Sequence, residues 1–318
     1  MLQFTFLGTS SGVPSLTRNV SGLAVRYGRG KDWILIDAGE GTQHQIQRAK
    51  LSLQSLKAIC ITHVHGDHCY GLMGLLASAG MNARKDLLTI IAPKNIQLWF
   101  EATQQLTDLH LPYPVQFIDV ARENLNFSIN PQLQIQPYCL SHRVESFAFA
   151  ITATQQQKKL NVECLARLNV PKGQLWGELQ QGKDIQHHGQ VIHSKDVLDL
   201  STQTVKAIIS GDNDQPELLS DACKDADVLI HESTYTQTTL DKVGSAPMHS
   251  SAKMVAEFAE SVQLPNLILT HFSARYHDAS GMALIEQEAK QFYHGHLILA
   301  EDLKTYALKE SGQISEQL

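Results

Sequence analysis

The chain has 318 residues, 43% of them hydrophobic and 18% charged, with a formal net charge of −6, the composition of an ordinary soluble globular protein with a substantial core. Its five cysteines (Cys60, Cys69, Cys139, Cys164 and Cys223) are an odd number without C-x-x-C spacing, which argues against a disulfide framework and for a reducing compartment. The start, Met1-Leu-Gln-Phe-Thr-Phe-Leu, lacks the basic region and cleavage pattern of a signal peptide, and no apolar run approaches the ~20 residues of a membrane span, so a cytoplasmic protein without membrane contact is expected.

Leu2-Gln-Phe-Thr-Phe-Leu alternates apolar and polar side chains, the pattern of a half-buried strand. Short apolar runs follow at Trp33–Asp37, Ala58–Thr62, Leu87–Ile91 and Val115–Ile118. Leu133–Tyr138 and Phe147–Thr152 read as an antiparallel pair. The last third adds Lys206–Ser210, Val228–Ile230, Leu267–Thr270 and Leu297–Ala300. Helices are predicted near 41–50, 69–80, 94–107, 215–224, 249–262 and 281–292, the fifth capped by Ser250 or Ser251. This order predicts an α/β fold of four layers, two sheets face to face with helices outside.

Residues 155–189 break the pattern with Lys158-Lys159, Pro171-Lys-Gly-Gln-Leu-Trp-Gly and Gly182-Lys-Asp-Ile-Gln-His-His-Gly. Long loops inside a compact domain are usually functional or disordered. We read this one as an arm inserted into a single domain spanning 1–318. Between Gln155 and Gln190 five basic residues stand against three acidic ones, so the arm is mildly basic on an acidic body. The acidic total is unlike that of a nucleic-acid binder, and a basic arm reconciles it with local phosphate contact.

The chemistry concentrates in Thr62-His63-Val64-His65-Gly66-Asp67-His68, directly after an apolar strand. Imidazole nitrogen and carboxylate oxygen suit zinc. His63 and His65 can grip one metal while Asp67 and His68 face a second. Further ligands must come from elsewhere, and His142, Asp212 and His271 each stand where a strand ends. Taken singly, His142 and His271 read equally well as core histidines.

The string H-x-H-x-D-H resembles the metal motif of the metallo-β-lactamase superfamily, and the resemblance extends over nearly the whole chain. It implies an αββα sandwich with one zinc on His63, His65 and His142, a second on Asp67, His68 and His271, and Asp212 bridging both. Mn²⁺ and Co²⁺ are alternative metals for the same ligands. Phe6-Leu-Gly-Thr-Ser-Ser-Gly-Val-Pro, Arg18-Asn19, Gly39-Glu-Gly-Thr-Gln, His231-Glu-Ser-Thr-Tyr, Met248-His-Ser-Ser-Ala and His271-Phe-Ser-Ala-Arg-Tyr are similar to segments of the ribonuclease Z family.

That resemblance implies a homodimeric endoribonuclease that removes the 3′ trailer from tRNA precursors and leaves a 3′-hydroxyl; trimming as an exoribonuclease is a variant within the family. It implies Asp67 as proton acceptor and His249 as proton donor, held and tuned by Glu232. It places Arg18 and Asn19 in the loop that senses the substrate's end and gives the arm the tRNA body to grip. The planar fork of Arg275 suits a phosphate contact and equally a surface salt bridge. Two departures stand out: Gly173-Gln174 where the family's arm commonly has Gly-Pro, and Leu16 where its loop often has lysine. The competing readings are another hydrolase of the superfamily, acting on a small phosphodiester, thioester, lactam or lactone, and a non-catalytic RNA-binding protein. The full set of ligands counts against the second, because such a cluster is costly to bury without a metal.

Overall fold

The computed structural model describes residues 1–28, 30–122 and 126–317. Positions 29, 123–125 and 318 of the expected domain lie outside the described residues. The chain divides into two compact units, one made of 1–153 and 205–318 and the other of 154–204.

In the larger unit, period-two alternation along the strands builds two sheets. The first runs, edge to edge, through Ile314–Gln317, Thr305–Leu308, Leu2–Gly8, Gly22–Tyr27, Trp33–Ile36, Leu56–Cys60, Leu88–Ala92 and Val115–Asp119. The second runs through His296–Leu299, Asn266–Thr270, Val228–Glu232, Leu198–Ile209, Ser146–Leu160, Leu133–Leu140 and Phe127–Asn130. Leu133–Leu140 and Ser146–Leu160 pair antiparallel, as expected from the sequence.

Residues of one parity face the other sheet. Phe4, Phe6, Val25, Ile34 and Ile36 meet Phe147, Phe149, Ile151, Ala207 and Ile230 in one apolar core between the sheets. Residues of the other parity face outward and are covered by helices. Leu35, Ile59 and Ile90 pack with Thr42–Arg48, Leu72–Met81 and Lys94–Thr107. Ile208, Leu229 and Leu267 pack with Ala252–Ser261 and Ala279–Phe292. The four layers are therefore helices, sheet, sheet, helices, because each sheet must bury both faces.

The predicted helices are present, with 215–224 split into a 3₁₀ turn at Pro216–Leu219 and a short α-helix at Ser220–Cys223. Ser251 is the residue that caps Ala252–Ser261, its hydroxyl accepting from the Met254 amide at 3.1 Å. Helix Gln237–Val243 and strands Gly22–Tyr27, Phe127–Asn130, Thr305–Leu308 and Ile314–Gln317 were not anticipated. All five cysteines are free, and no helix of the described residues is long and apolar enough to cross a membrane.

The 154–204 unit is folded, where the sequence suggested a loop. It contains helices Val162–Arg167 and Gln174–Gln180 and a hairpin of Ile185–His187 with Gln190–Ile192. The hairpin turns on His188 and Gly189, both with positive φ (49° and 78°), as a two-residue turn of the favoured hand requires. Leu165, Val170, Leu179, Ile185, Ile192 and Val197 form the unit's own apolar cluster. Each element is too short for a period to emerge from sequence, and the segment expected at 155–189 is the middle of this larger unit.

Candidate active site

Strands of both sheets end at one edge of the sandwich, and the candidate ligands follow directly from those ends. The loop after Leu56–Cys60 carries His63, His65, Asp67 and His68; His142 follows Leu133–Leu140, Asp212 follows Leu198–Ile209, and His271 follows Asn266–Thr270. Donor atoms of His63, His65, His142 and Asp212 lie within 4.8 Å of one another, as do those of Asp67, His68 and His271. Residues that sequence reading gathered from four separate segments thus converge on one place.

The hydrogen bonds around the cluster leave ring nitrogens facing inward with lone pairs. Thr62 donates its hydroxyl to Asp37 (2.9 Å) and so accepts from His63 Nδ1 (2.9 Å). His68 Nδ1 donates to Asp37 Oδ2 at 2.7 Å and His142 Nδ1 to the Met248 carbonyl at 2.8 Å. Thr234 donates to Glu232 (2.7 Å) and accepts from His271 Nδ1 (3.1 Å). These partners fix the tautomers and direct Nε2 of His63, His68, His142 and His271 into the cluster.

The residues fit a divalent cation on two observations. His68 Nε2 and His271 Nε2 face each other at 3.2 Å although both rings spend their proton on Nδ1. Asp212 Oδ1 is buried with no hydrogen-bond partner, 3.4 Å from each of these nitrogens. Two ring nitrogens facing each other and an orphaned carboxylate oxygen are costly to bury unless a cation lies among them. Burial opposes ionisation of Asp67, Asp212 and Glu232, but the surrounding imidazoles outweigh it and hold all three below the usual carboxylate range. Burial pushes the His63 imidazole well below its usual value, helped by His68, and lowers His65 and His142. Burial opposes the charge on His68, but Asp212, Asp67 and Asp37 outweigh it and raise His68 well above the usual imidazole value. Without a cation the carboxylates are therefore anionic, His63, His65 and His142 neutral, and His68 holds a proton that a bound cation displaces.

Beside the cluster, Glu232 Oε1 accepts from His249 Nδ1 at 3.0 Å, and that same nitrogen lies 3.8 Å from Asp212. Burial opposes the charge on His249, and Glu232 and Asp212 more than offset it, raising its pKa to about 9. Glu232 is itself held by the amides of Thr234 (2.9 Å) and Ser250 (2.9 Å). With Nδ1 engaged, the His249 Nε2–H is the proton left to give.

A family model described as anti-Pycsar protein Apyc1 matches residues 2–157. A ribonuclease Z of Marinobacter nauticus is 44% identical over 318 residues, 98% of each chain. The chain belongs to the ribonuclease Z family. Among solved structures, the short form of human tRNase Z is similar with a TM-score of 0.66 at 25% identity, covering 96% of this chain and 99% of that one. A metallo-β-lactamase fold protein from Bacillus subtilis shares the fold with a TM-score of 0.65 at 17% identity, over 96% and 98% of the two chains. This member of the ribonuclease Z family is thus a hydrolytic nuclease of the metallo-β-lactamase fold.

Not every residue expected from the ribonuclease Z resemblance reaches the cluster. Arg18 is only 8% exposed, and its Nη1 donates to Thr9 Oγ1 (2.6 Å) and the Ala300 carbonyl (2.8 Å) beneath the Phe272 ring. It braces its loop from inside. The Asn19 amide donates to Asp302 Oδ2 at 2.7 Å, and Asn19 lines a cavity of about 410 Å³ with His44, Gln45 and Arg48. Arg275 is exposed, its guanidinium 5.8 Å from the centre of the Tyr235 ring.

The sequence reading missed the residues that hold the ligands. Asp37 ends the apolar run Trp33-Ile-Leu-Ile, a signal that could have revealed it, and it accepts from the Thr62 amide (2.7 Å) as well as from His68. Gly12 donates its amide to Asp67 Oδ2 at 2.7 Å. Gly39 lets the chain pass close beneath that loop, since a Cβ there would lie 2.2 Å from the Asp67 carbonyl. Asp37, Met248 and His271 all have positive φ (59°, 54° and 58°), a conformation costing roughly 1–3 kcal/mol each and typical of functional sites.

Proposed function

We propose that the chain is a dinuclear zinc endoribonuclease that removes the 3′ trailer from tRNA precursors and leaves a 3′-hydroxyl. His63, His65 and His142 would hold one zinc and Asp67, His68 and His271 the other, with Asp212 common to both; Mn²⁺ or Co²⁺ fits the same donors. When bound, the cations supply positive charge opposite the phosphate and make nearby water more acidic.

Asp67 accepts the proton of the attacking water, its Oδ2 oriented by the Gly12 amide at 2.7 Å. As the water oxygen joins phosphorus, the bond to the ribose 3′-oxygen breaks, and that oxygen needs a proton. His249 gives it from Nε2, while Glu232 holds Nδ1 and stabilises the charged ring. Arg275, exposed at the rim, meets a substrate phosphate with its planar fork. Arg18 and Asn19 shape the loop at residues 10–19 toward the substrate's end. The mildly basic arm within the 154–204 unit grips the tRNA body, with two subunits working as a cytoplasmic homodimer.

The observation that carries this reading is the buried contact of His249 Nδ1 with Glu232 Oε1 at 3.0 Å beside the ligand cluster. It supports a proton donor for a poor leaving group, which hydrolysis of an activated ester would not need. The test is incubation of zinc-loaded protein with a precursor bearing a 3′ trailer, beside Asp67→Ala. A mature-length product ending in a 3′-hydroxyl, absent with the variant, is expected. Cleavage of a small chromogenic phosphodiester but not of the precursor would keep the metal chemistry and sink the tRNA assignment.

A further inference from the structure

Tyr235 closes the segment His231-Glu-Ser-Thr-Tyr and has no part in the chemistry above. Its ring packs against the core beneath the second sheet's helices on one side and is half-buried. Its centre lies 6.2 Å from that of His249, edge to face at 77°. The Arg275 guanidinium lies 5.8 Å from the same ring, within the range of a cation–π contact. Backbone bonds pin the position: the Ala252 amide donates to the Tyr235 carbonyl at 2.8 Å, directly after the segment that carries His249.

Arg275 has no carboxylate partner among the described residues, and the Tyr235 hydroxyl has no hydrogen-bond partner there. The ring face is thus what holds the guanidinium, and the hydroxyl is not part of that hold. An arginine on a long, exposed stem otherwise samples many rotamers, and ordering it on binding costs entropy. A rigid aromatic seat removes part of that cost and leaves the outer donors of the fork free for an anion.

We propose that Tyr235 is a positioning residue whose ring seats the Arg275 guanidinium at the rim beside His249, where it meets a phosphate flanking the scissile bond of an RNA substrate. This rests on the reading of the chain as a precursor-processing nuclease and adds to it the residue that orders the phosphate contact. A small aryl phosphodiester has no flanking phosphate, so the contact discriminates between the two kinds of substrate.

The experiment is a double-mutant cycle of Tyr235→Leu and Arg275→Ala on the zinc-loaded enzyme, with Tyr235→Phe alongside, read on precursor and on bis(p-nitrophenyl) phosphate. Each of Tyr235→Leu and Arg275→Ala is expected to raise KM for the precursor by about two- to five-fold, the size of a cation–π contact at an exposed site. Each is expected to flatten the salt dependence of binding by about one phosphate contact. The double variant loses no more than Arg275→Ala alone, and Tyr235→Phe recovers most of what Tyr235→Leu loses. The loss on the small diester is several-fold smaller.

Independent, multiplying effects in the double variant overturn the proposal, as does Tyr235→Phe performing as badly as Tyr235→Leu. Equal losses on both substrates overturn it too, by placing the ring's role at His249. If Tyr235→Leu does not fold, Arg275→Ala, an exposed change, decides alone: an unchanged salt slope is then the contrary result. If the wild type fails to process the precursor, the functional reading falls. The cycle is then read as binding of a single-stranded RNA oligonucleotide, where coupled losses support the seat and additive ones overturn it.

Discussion

The Glu232 carboxylate and the His249 imidazole meet at 3.0 Å through Oε1 and Nδ1, both side chains almost entirely buried. A buried histidine with Nδ1 committed has a single nitrogen to offer, so the pair fixes both the charge and the direction of the proton. His249→Ala is expected to lower kcat on the precursor by roughly 10²–10⁴-fold, the usual worth of a positioned acid. Glu232→Gln, which still accepts from Nδ1 but loses the charge, is expected to fall between this variant and wild type. Kinetics on protein of matched zinc content check both.

The same pair makes a pH prediction. In zinc-free protein His249 is expected to titrate at about 9, and Glu232→Gln to bring it down, as read from its imidazole NMR signals. The folded value lies above the ordinary one near 6.5. The pair's stabilising contribution is therefore complete below about pH 6.5 and is lost as pH rises through about 9. A His249 signal that titrates near 6.5 in wild type contradicts this.

Asp37 reaches no cation donor set itself, yet it takes the His68 Nδ1 proton at 2.7 Å. Asp37→Asn keeps the shape but weakens the hold on tautomer and basicity. Metal affinity is expected to drop by about 10–100-fold, the usual effect of losing such a partner. Competition with a chromophoric chelator measures it; an unchanged affinity would show that Asp37 serves the Thr62 turn alone.

Metal removal has a signed effect on stability. The facing nitrogens of His68 and His271 and the unpartnered Asp212 Oδ1 destabilise the fold until a cation joins them. Zinc at 100 times its dissociation constant is expected to stabilise by about 2.7 kcal/mol through linkage alone. Calorimetric scans with and without chelator should show the melting temperature rising with zinc. In Asp212→Asn that rise is expected to shrink.

Leu179 is fully buried in the apolar cluster of the 154–204 unit. Leu179→Ala should cost that unit about 2–5 kcal/mol. Hydrogen exchange is expected to speed up across 154–204 while the strands of the larger unit stay protected. Precursor KM should rise as the unit loosens, and hydrolysis of the small diester should hold. A matching loss on the small diester would mean that the unit supports the chemistry itself.

Sequence by itself determined the chemistry's type and brought four of the seven candidate donors together. His63, His65, Asp67 and His68 fall in one turn after a strand, so local order suffices to bring them together whatever the rest of the chain does. Alternation along Leu2–Phe6 likewise declares a strand, because the period is a local property. Gly22-Leu-Ala-Val-Arg-Tyr escaped because it is buried on both faces and shows no alternation.

Only the tertiary structure decided the rest. His271 stands 203 positions from His68, and the two meet because strands of both sheets end at one edge. Asp37 became the His68 partner, Arg18 turned inward to Thr9 and Ala300, and Tyr235 came to lie under Arg275 through contacts of the same non-local kind. Propensity and motif spacing act over a few residues. Tautomers, inward-facing lone pairs and the orientation of a guanidinium depend on which distant strand ends beside which, and packing of the sandwich sets that.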